Sequence, residues 1–526
     1  EAHLVPFEMV LAATKPAAVM PSYNEIDGIP SHANKWLLQD VLRKQFGYEG
    51  LITSDYSGVQ DLKAFHHVAT TEADAALRAF NAGVDMDLPD GVCYAKLGDL
   101  VKSGKILTAA LDASVRRVLC LKFRLGLFEN PFADAAKASS LVKLDTTRAL
   151  ALEAARKSIV LLKNDNALLP LTKGAQKTIA VIGPHSDDTR LGSYSGEPTH
   201  RVSVLDGIRR AVGDSGKVIY SKGCSLTTNE TASPMNAWLE VDLQVFPTPA
   251  EDQAAIADAV EVARNADLVV LVLGENELIC RESWAPHHIG DRSSLDLIGA
   301  QNQLADAIFA LGKPVVVYLM NGRPLAIPKI IERANAVLEG WYAGQETGNA
   351  AADILFGQVN PSAKLTITVP RSVGQIPIYY NHKPSSHSFS YLDEVSSPLF
   401  PFGFGLSYTK FDCGPVKLSA AAIKRDGHAQ ARVIVTNSGS TAGDEIVQLY
   451  ITDRVASVTR PVKSLKGFRR IHLAPGASQQ VEFQITPEML SLYDETMNRV
   501  VEPGEFEIII GNSSAADNLA VLNVTE

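Results

Sequence analysis

The chain is short of cysteine, of long apolar runs and of basic clusters. Its 526 residues include five cysteines, Cys93, Cys120, Cys224, Cys280 and Cys413. The number is odd and the spacing fits no metal motif, so neither a disulfide framework nor a zinc site is indicated. Cys224 with Cys280 is the single pair worth testing. The longest apolar runs, Leu268 to Leu273 and Pro314 to Met320, fall far short of the ~20 residues of a membrane helix. They read as buried parallel strands. Acidic residues outnumber basic ones by 59 to 49, a formal charge of −10, and no basic block is available to neutralise phosphates. Nucleic acid and membrane are therefore not expected partners. Gly-x-Ser-x-Gly and His-Glu-x-x-His motifs are missing, and Gly183-Pro-His-Ser lacks the glycine spacing of a dinucleotide turn. The sequence opens at Glu1 with neither an initiator Met nor a signal-like stretch, a start that reads as processed or cut.

What is present is an ordinary globular composition, 46% hydrophobic and 21% charged, at a length that argues for about three or four domains. Residues 1–128 alternate short apolar runs with helical patterns. Strands are expected at Ala18 to Met20, Gly50 to Ser54 and Val84 to Leu88, and helices at Asn34 to Phe46, Thr71 to Ala82, Leu97 to Ser103 and Thr108 to Leu125. Such a βα series makes an open parallel sheet or part of a (β/α)8 barrel. A polar stretch with Asn130-Pro131 reads as a linker, residues 129–147.

A second βα block follows over residues 148–370, with strands expected at Ser158 to Leu162, Thr178 to Ile182, Lys217 to Tyr220, Asp267 to Leu273, Pro314 to Met320 and Ala336 to Glu339. Residues 371–409 form a long connection rich in Ser, Pro, His and aromatics. Over residues 410–526 strict alternation, as in Ala431 to Thr436 and Glu505 to Ile510, between turns such as Glu502-Pro-Gly, indicates a β-sandwich of fibronectin type III kind.

Two features carry candidate chemistry. Asp55 closes the strand Gly50 to Ser54, and in a parallel βα fold strand C-termini face the active site. A helix cap is the plain alternative, and Asp85 and Asp87 compete for the same role. The second feature is the segment from Gly274 to Arg292, which holds Glu275, Glu277, Glu282, Trp284, His287 and His288 directly after a strand. Dense polar loops on rigid scaffolds place acids, bases and sugar-stacking aromatics, although a solvated loop with local ion pairs would look the same. Together they suggest paired carboxylates of opposite protonation state, as glycoside hydrolysis requires. His66-His67 reads as a plain loop.

At these residues the chain resembles glycoside hydrolase family 3 along essentially its whole length. The resemblance rests on Met20-Pro-Ser-Tyr23-Asn24 with Gly28-Ile-Pro30, Ala33-Asn34-Lys35, Gly50-Leu-Ile-Thr-Ser-Asp55-Tyr56, Gly126-Leu-Phe128, Leu191-Gly-Ser-Tyr-Ser-Gly196, Asn321-Gly-Arg-Pro-Leu325, Gly357-Gln-Val-Asn-Pro361 and Pro401-Phe-Gly-Phe-Gly-Leu-Ser-Tyr408. It implies an α/β multidomain fold: the C-terminal part of a (β/α)8 barrel, an α/β sandwich, then a fibronectin type III-like β-sandwich. Asp55 would be the nucleophile, Glu282 the general acid/base with Glu277 as runner-up, and Tyr23 would orient the nucleophile. Tyr56 stands where many members carry Trp, while Trp284, His287 and His288 would line the mouth.

The implied activity is that of a retaining exo-β-glycosidase acting on β-linked oligosaccharides or aryl and alkyl β-glycosides. A β-glucosidase is the first choice, β-xylosidase the enzymatic alternative, and a non-catalytic carbohydrate-binding or assembly subunit the alternative from another class. No cofactor and no metal are implied, a homodimer is an option, and the expected compartment is periplasmic or secreted. The family's early sugar-binding residues have no counterpart ahead of Tyr23, so Glu1 is expected to be internal to a longer protein.

Overall fold

The computed structural model describes residues 2–142, 144–192, 194–196, 198–228, 245–283, 290–385 and 390–526. The chain divides into two compact units, Glu1–Ser140 and Leu141–Glu526. No helix among the described residues is long and apolar enough to cross a membrane.

In the first unit, β1 (Ala18–Val19), β2 (Leu51–Tyr56) and β3 (Met86–Leu88) form a parallel sheet in that order. Ile52 on β2 is fully buried and packs with Leu38, Leu62, Ala79 and Phe80, joining the sheet to flanking helices. The helix Glu72–Ala82 begins at Thr71, whose side chain accepts the Asp74 backbone N–H, and stops at Gly83 in the left-handed region (φ 111°), the sequence signs of a start and a stop. The helix expected over Asn34 to Phe46 is present over Trp36–Gln45, but wound wide, with the N–H of Phe46 reaching back to the Val41 carbonyl. The expected linker is not featureless, since a helix spans Ala135–Val142.

The second unit is built on a six-stranded sheet. Its strands are β4 (Val160–Asn164), β5 (Thr178–Ile182), β6 (Lys217–Ser221), β7 (Leu268–Gly274), β8 (Val315–Met320) and β9 (Ala336–Glu339), in the order β4-β9-β8-β7-β5-β6. β7, β8 and β9 are buried at every position. This burial on both faces explains their uninterrupted apolar sequence, because helices cover each side of the sheet. One cluster gathers Val269, Leu271 and Val317 with Leu304 and Ile308; the other gathers Val270, Val272 and Val316 with Leu205, Ile208 and Ile354.

The sheet is not wholly parallel as expected. β4 pairs antiparallel with β9 at the edge, a position where mixed direction is common. Because β7 and β6 flank β5 on opposite sides, the strand order reverses between β5 and β7. The carboxyl ends at such a reversal open a crevice where α/β proteins place ligands.

Two larger sheets follow, one containing Ala429–Asn437 and Ser478–Ile485, the other Gly443–Asp453, Ser464–Leu473, Gly504–Gly511 and Leu519–Thr525. Both contribute to one core that includes Val433, Phe483, Leu449, Ile508 and Leu522. This part is joined to the α/β part by polar and aromatic contacts, of which the Lys364 pair is buried. Lys364 Nζ meets Glu445 at 2.9 Å, with side chains 9% and 7% exposed, and also donates to the Gly405 carbonyl. The Gln448 amide donates to the Gly403 carbonyl, the Asn360 amide to the Ala442 carbonyl, and the Tyr380 ring meets Tyr450 edge-on.

Candidate active site

The first unit presents one carboxylate at a strand end. Between Thr53 and Tyr56 the register of β2 against β3 shifts, and Ser54 and Asp55 occupy the irregularity. The ladder is completed there by a side chain: Ser54 Oγ accepts the Leu88 N–H at 2.8 Å. Bulges of this kind re-aim side chains. Asp55 is half-buried, and its Oδ1 accepts the Tyr56 N–H at 2.7 Å.

The competing aspartates are committed elsewhere. Asp85 is buried and accepts from Arg43, Arg117, Ser114 and the Ile52 N–H. Asp87 receives the N–H groups of Cys93 and Tyr94. The Tyr23 hydroxyl donates to the Tyr56 carbonyl at 2.7 Å, one peptide beyond the carboxylate it is expected to orient. Tyr56 is exposed.

A residue that sequence reasoning passed over sits beneath Asp55. The His32 Nε2 accepts the Asp55 backbone N–H at 3.1 Å, and the ring is 1% exposed. A Cβ on Gly58 would come within 2.4 Å of this ring, so the turn after Asp55 is closed against the imidazole. Burial pushes His32 down to about 4, against the smaller opposing pull of Asp55.

The ring is thus neutral when folded but takes a proton below about pH 6.5 when unfolded. Its contribution to stability is complete above pH 6.5 and is lost as pH falls from 6.5 through 4, by at most about 3 kcal/mol. Thermal midpoints of the wild type and His32→Gln, followed from pH 7 to 4, should therefore converge on acidification. Parallel curves would refute the assignment. The only sequence signal for this role is a histidine two residues after Pro30, too little to single it out.

The second unit presents its carboxylates on the loop after β7. Gly274 ends that strand at φ 152°, with the Met320 carbonyl 1.8 Å from where a Cβ would lie. The Gln301 side chain brackets it, accepting from the Gly274 N–H at 2.8 Å and donating to its carbonyl at 2.9 Å. From this fixed start the glutamates diverge. Glu275 is fully buried and faces Arg292 and Arg323. Glu277 is buried and accepts the N–H groups of Leu191 and Gly192 at 3.1 and 3.0 Å, with Arg190 at 3.4 Å.

The next apolar pair, Leu278 and Ile279, packs on Leu226. Arg281 is buried, whereas Glu282 is exposed. No hydrogen bond to the Glu282 carboxylate from another described residue is seen. Trp284, His287 and His288 lie outside the described residues. The suspected Cys224–Cys280 pair is not formed: both are free thiols, and burial pushes each up to about 12. Among the described residues, Asp55 and Glu282 are more accessible than Asp85, Glu275 and Glu277 near them in sequence, and accessible carboxylates are suited to acid, base or nucleophilic chemistry.

Comparison with known proteins bears on what that chemistry is. Residues 1–121 match the Glycosyl hydrolase family 3 N terminal domain, residues 159–408 the Glycosyl hydrolase family 3 C-terminal domain, and residues 445–514 the Fibronectin type III-like domain. A beta-xylosidase of Formosa agariphila is 40% identical over 100% of this chain and 71% of its own length. A periplasmic beta-glucosidase of Salmonella typhimurium is 42% identical over 95% of this chain and 66% of its own length. The chain thus spans about two thirds of the length of these relatives. Among solved structures, a β-glucosidase from Erythrobacter marinus superimposes with a TM-score of 0.95 at 39% identity, covering 99% of this chain and 69% of that one. A Listeria innocua beta-glucosidase in complex with glucose does so at 0.87 and 32% identity, covering 99% of this chain and 69% of that one.

Proposed function

The chain belongs to glycosyl hydrolase family 3, and from that premise we propose that it serves a retaining exo-β-glycosidase that releases terminal β-D-glucose, with Asp55 as nucleophile and Glu282 as general acid/base. The observation that carries the assignment is the contrast between accessible carboxylates and buried or multiply bonded ones. Asp55 stands at a bulged strand end while Asp85 and Asp87 are held by other groups, and Glu282 reaches solvent while Glu275 and Glu277 are buried in contacts.

In the first step an Asp55 carboxylate oxygen attacks the anomeric carbon. The glycosidic bond breaks, and the leaving oxygen takes its proton from the Glu282 carboxyl. In the second, the Glu282 carboxylate takes a proton from water, whose oxygen attacks the same carbon and frees Asp55. Two inversions return a β-configured sugar. Within this reading β1 to β3 belong to a (β/α)8-type barrel whose strand ends face the sugar, and the six-stranded sheet is the α/β sandwich that brings the acid/base. Export to the periplasm or beyond fits the name of the Salmonella relative.

A second reading, β-xylosidase, is favoured by the name of the Formosa relative. One experiment addresses both points: NMR time courses on 4-nitrophenyl β-glucoside and β-xyloside with the full-length protein. The expected result is first release of the β-anomer, with the higher kcat/KM on the glucoside. First release of the α-anomer would exclude retention, a preference for the xyloside would exchange the substrate, and binding without hydrolysis would favour a non-catalytic carbohydrate-binding subunit.

A further inference from the structure

Resting on the role given to Glu282, we propose that Glu275, Arg292 and Arg323 form a buried charged anchor that positions the acid/base loop. Glu275 directly follows β7, Arg292 lies where the loop has returned, and Arg323 comes from the loop after β8. Both arginines meet on the one Glu275 carboxylate. Arg323 Nε donates to Oε2 and its Nη2 to Oε1, both at 3.1 Å, while Arg292 Nη1 donates to Oε1 at 2.5 Å. Glu275 is fully buried, and the two arginine side chains are only 13% and 21% exposed.

Two features carry this anchor toward Glu282. Cys280 lies two residues before Glu282, and burial first, then the charge of Glu275, hold its thiol above its ordinary range, which sets it beside the anchor. The Arg281 stem packs against Gly290, where a Cβ would fall 2.2 Å from its Cγ, so outgoing and returning strands of the loop are in contact on either side of the exposed carboxylate. Burial of charge is a poor way to gain stability, since apolar groups of the same volume commonly do as well. What a two-pronged guanidinium adds is direction: it accepts one orientation of the carboxylate plane. A general acid needs that directional control, because misplacement by about 1 Å costs on the order of 100-fold in rate. These three are positioning residues.

The test uses leaving-group dependence, since proton donation matters for a methanol leaving group and little for 2,4-dinitrophenol. Arg323→Lys and Arg292→Lys in the full-length protein keep the charge but lose the fork. The ratio of kcat/KM for 2,4-dinitrophenyl β-glucoside over methyl β-glucoside should rise by about 10- to 100-fold in both. That ratio does not depend on the folded fraction, so a loss of stability does not obscure it. Arg156→Lys, at the Arg156–Asp353 ion pair elsewhere in the unit, should leave the ratio unchanged. If Glu282→Gly raises the ratio and neither anchor variant does, the anchor role is wrong and Glu282 keeps its own. If Glu282→Gly itself leaves the ratio unchanged, the site assignment falls and the anchor role with it.

Discussion

Asp55→Asn should lower kcat/KM for 4-nitrophenyl β-glucoside by about 10,000-fold or more, because the amide cannot form the glycosyl ester on which the double displacement depends. The substitution is close to isosteric. The one hydrogen bond described at the carboxylate, from the Tyr56 N–H, can be accepted by the amide oxygen, so the thermal midpoint should stay near that of the wild type. Asp85→Asn is the contrasting case. It weakens a buried carboxylate that holds Arg43 and Arg117, and its effect should be a loss of stability of about 3 kcal/mol or more. Steady-state kinetics with calorimetry on the two variants separates these roles. The wild type incubated with a 2-deoxy-2-fluoro-glucoside should gain the mass of one fluoroglucosyl group on the peptide containing Asp55. Undiminished hydrolysis by Asp55→Asn would remove it as nucleophile.

Glu282→Gly should reduce kcat/KM for methyl β-glucoside by about 100- to 10,000-fold, the usual contribution of general acid catalysis. An activated 2,4-dinitrophenyl glucoside should still form the glycosyl-enzyme. Added azide, which needs no base, should then restore turnover and yield β-glucosyl azide. Glu277→Gln predicts differently: that carboxylate receives two backbone N–H groups and Arg190, so its loss should loosen the 191–192 segment and lower activity without azide rescue. Rescue at Glu277 in place of Glu282 would transfer the acid/base role.

The strands of the six-stranded sheet were legible in the sequence because periodicity is local. Thr178 to Ile182 and Ala336 to Glu339 have the bounds expected, and Leu268–Gly274 is shifted by one residue. Direction is not local: nothing between Val160 and Asn164 announces that β4 runs against β9, since pairing is decided by where the chain enters the sheet. The strand Ser464–Leu473 escaped because its exposed edge carries Lys466, Arg469, Arg470 and His472, which break the apolar alternation that marks a half-buried strand.

At the candidate site, the strand-end position of Asp55 was legible because a carboxylate ending an apolar run is a recognisable pattern. His32 was not, because its contact with the Asp55 amide joins residues 23 positions apart. The loop after β7 shows the same limit from another side. Irregular backbone has no period from which to read inside and outside, so Glu275, Glu277 and Glu282 look alike until their burial is known.

The polar contacts that join residues 360–409 to the final β-sheets also bear on how such chains can recombine. Matched segments end at residue 408 and resume at 445, which suggests a seam where one module could be exchanged for another. Lys364, Asn360 and Gly403 reach across that seam to Glu445, Ala442 and Gln448. A sandwich transplanted at the seam would leave a buried lysine facing a foreign neighbour, whereas a junction placed ahead of Asn360 would transfer both members of each pair. The heritable unit is therefore wider than the matched segment 445–514 that it contains, and the two parts must change together.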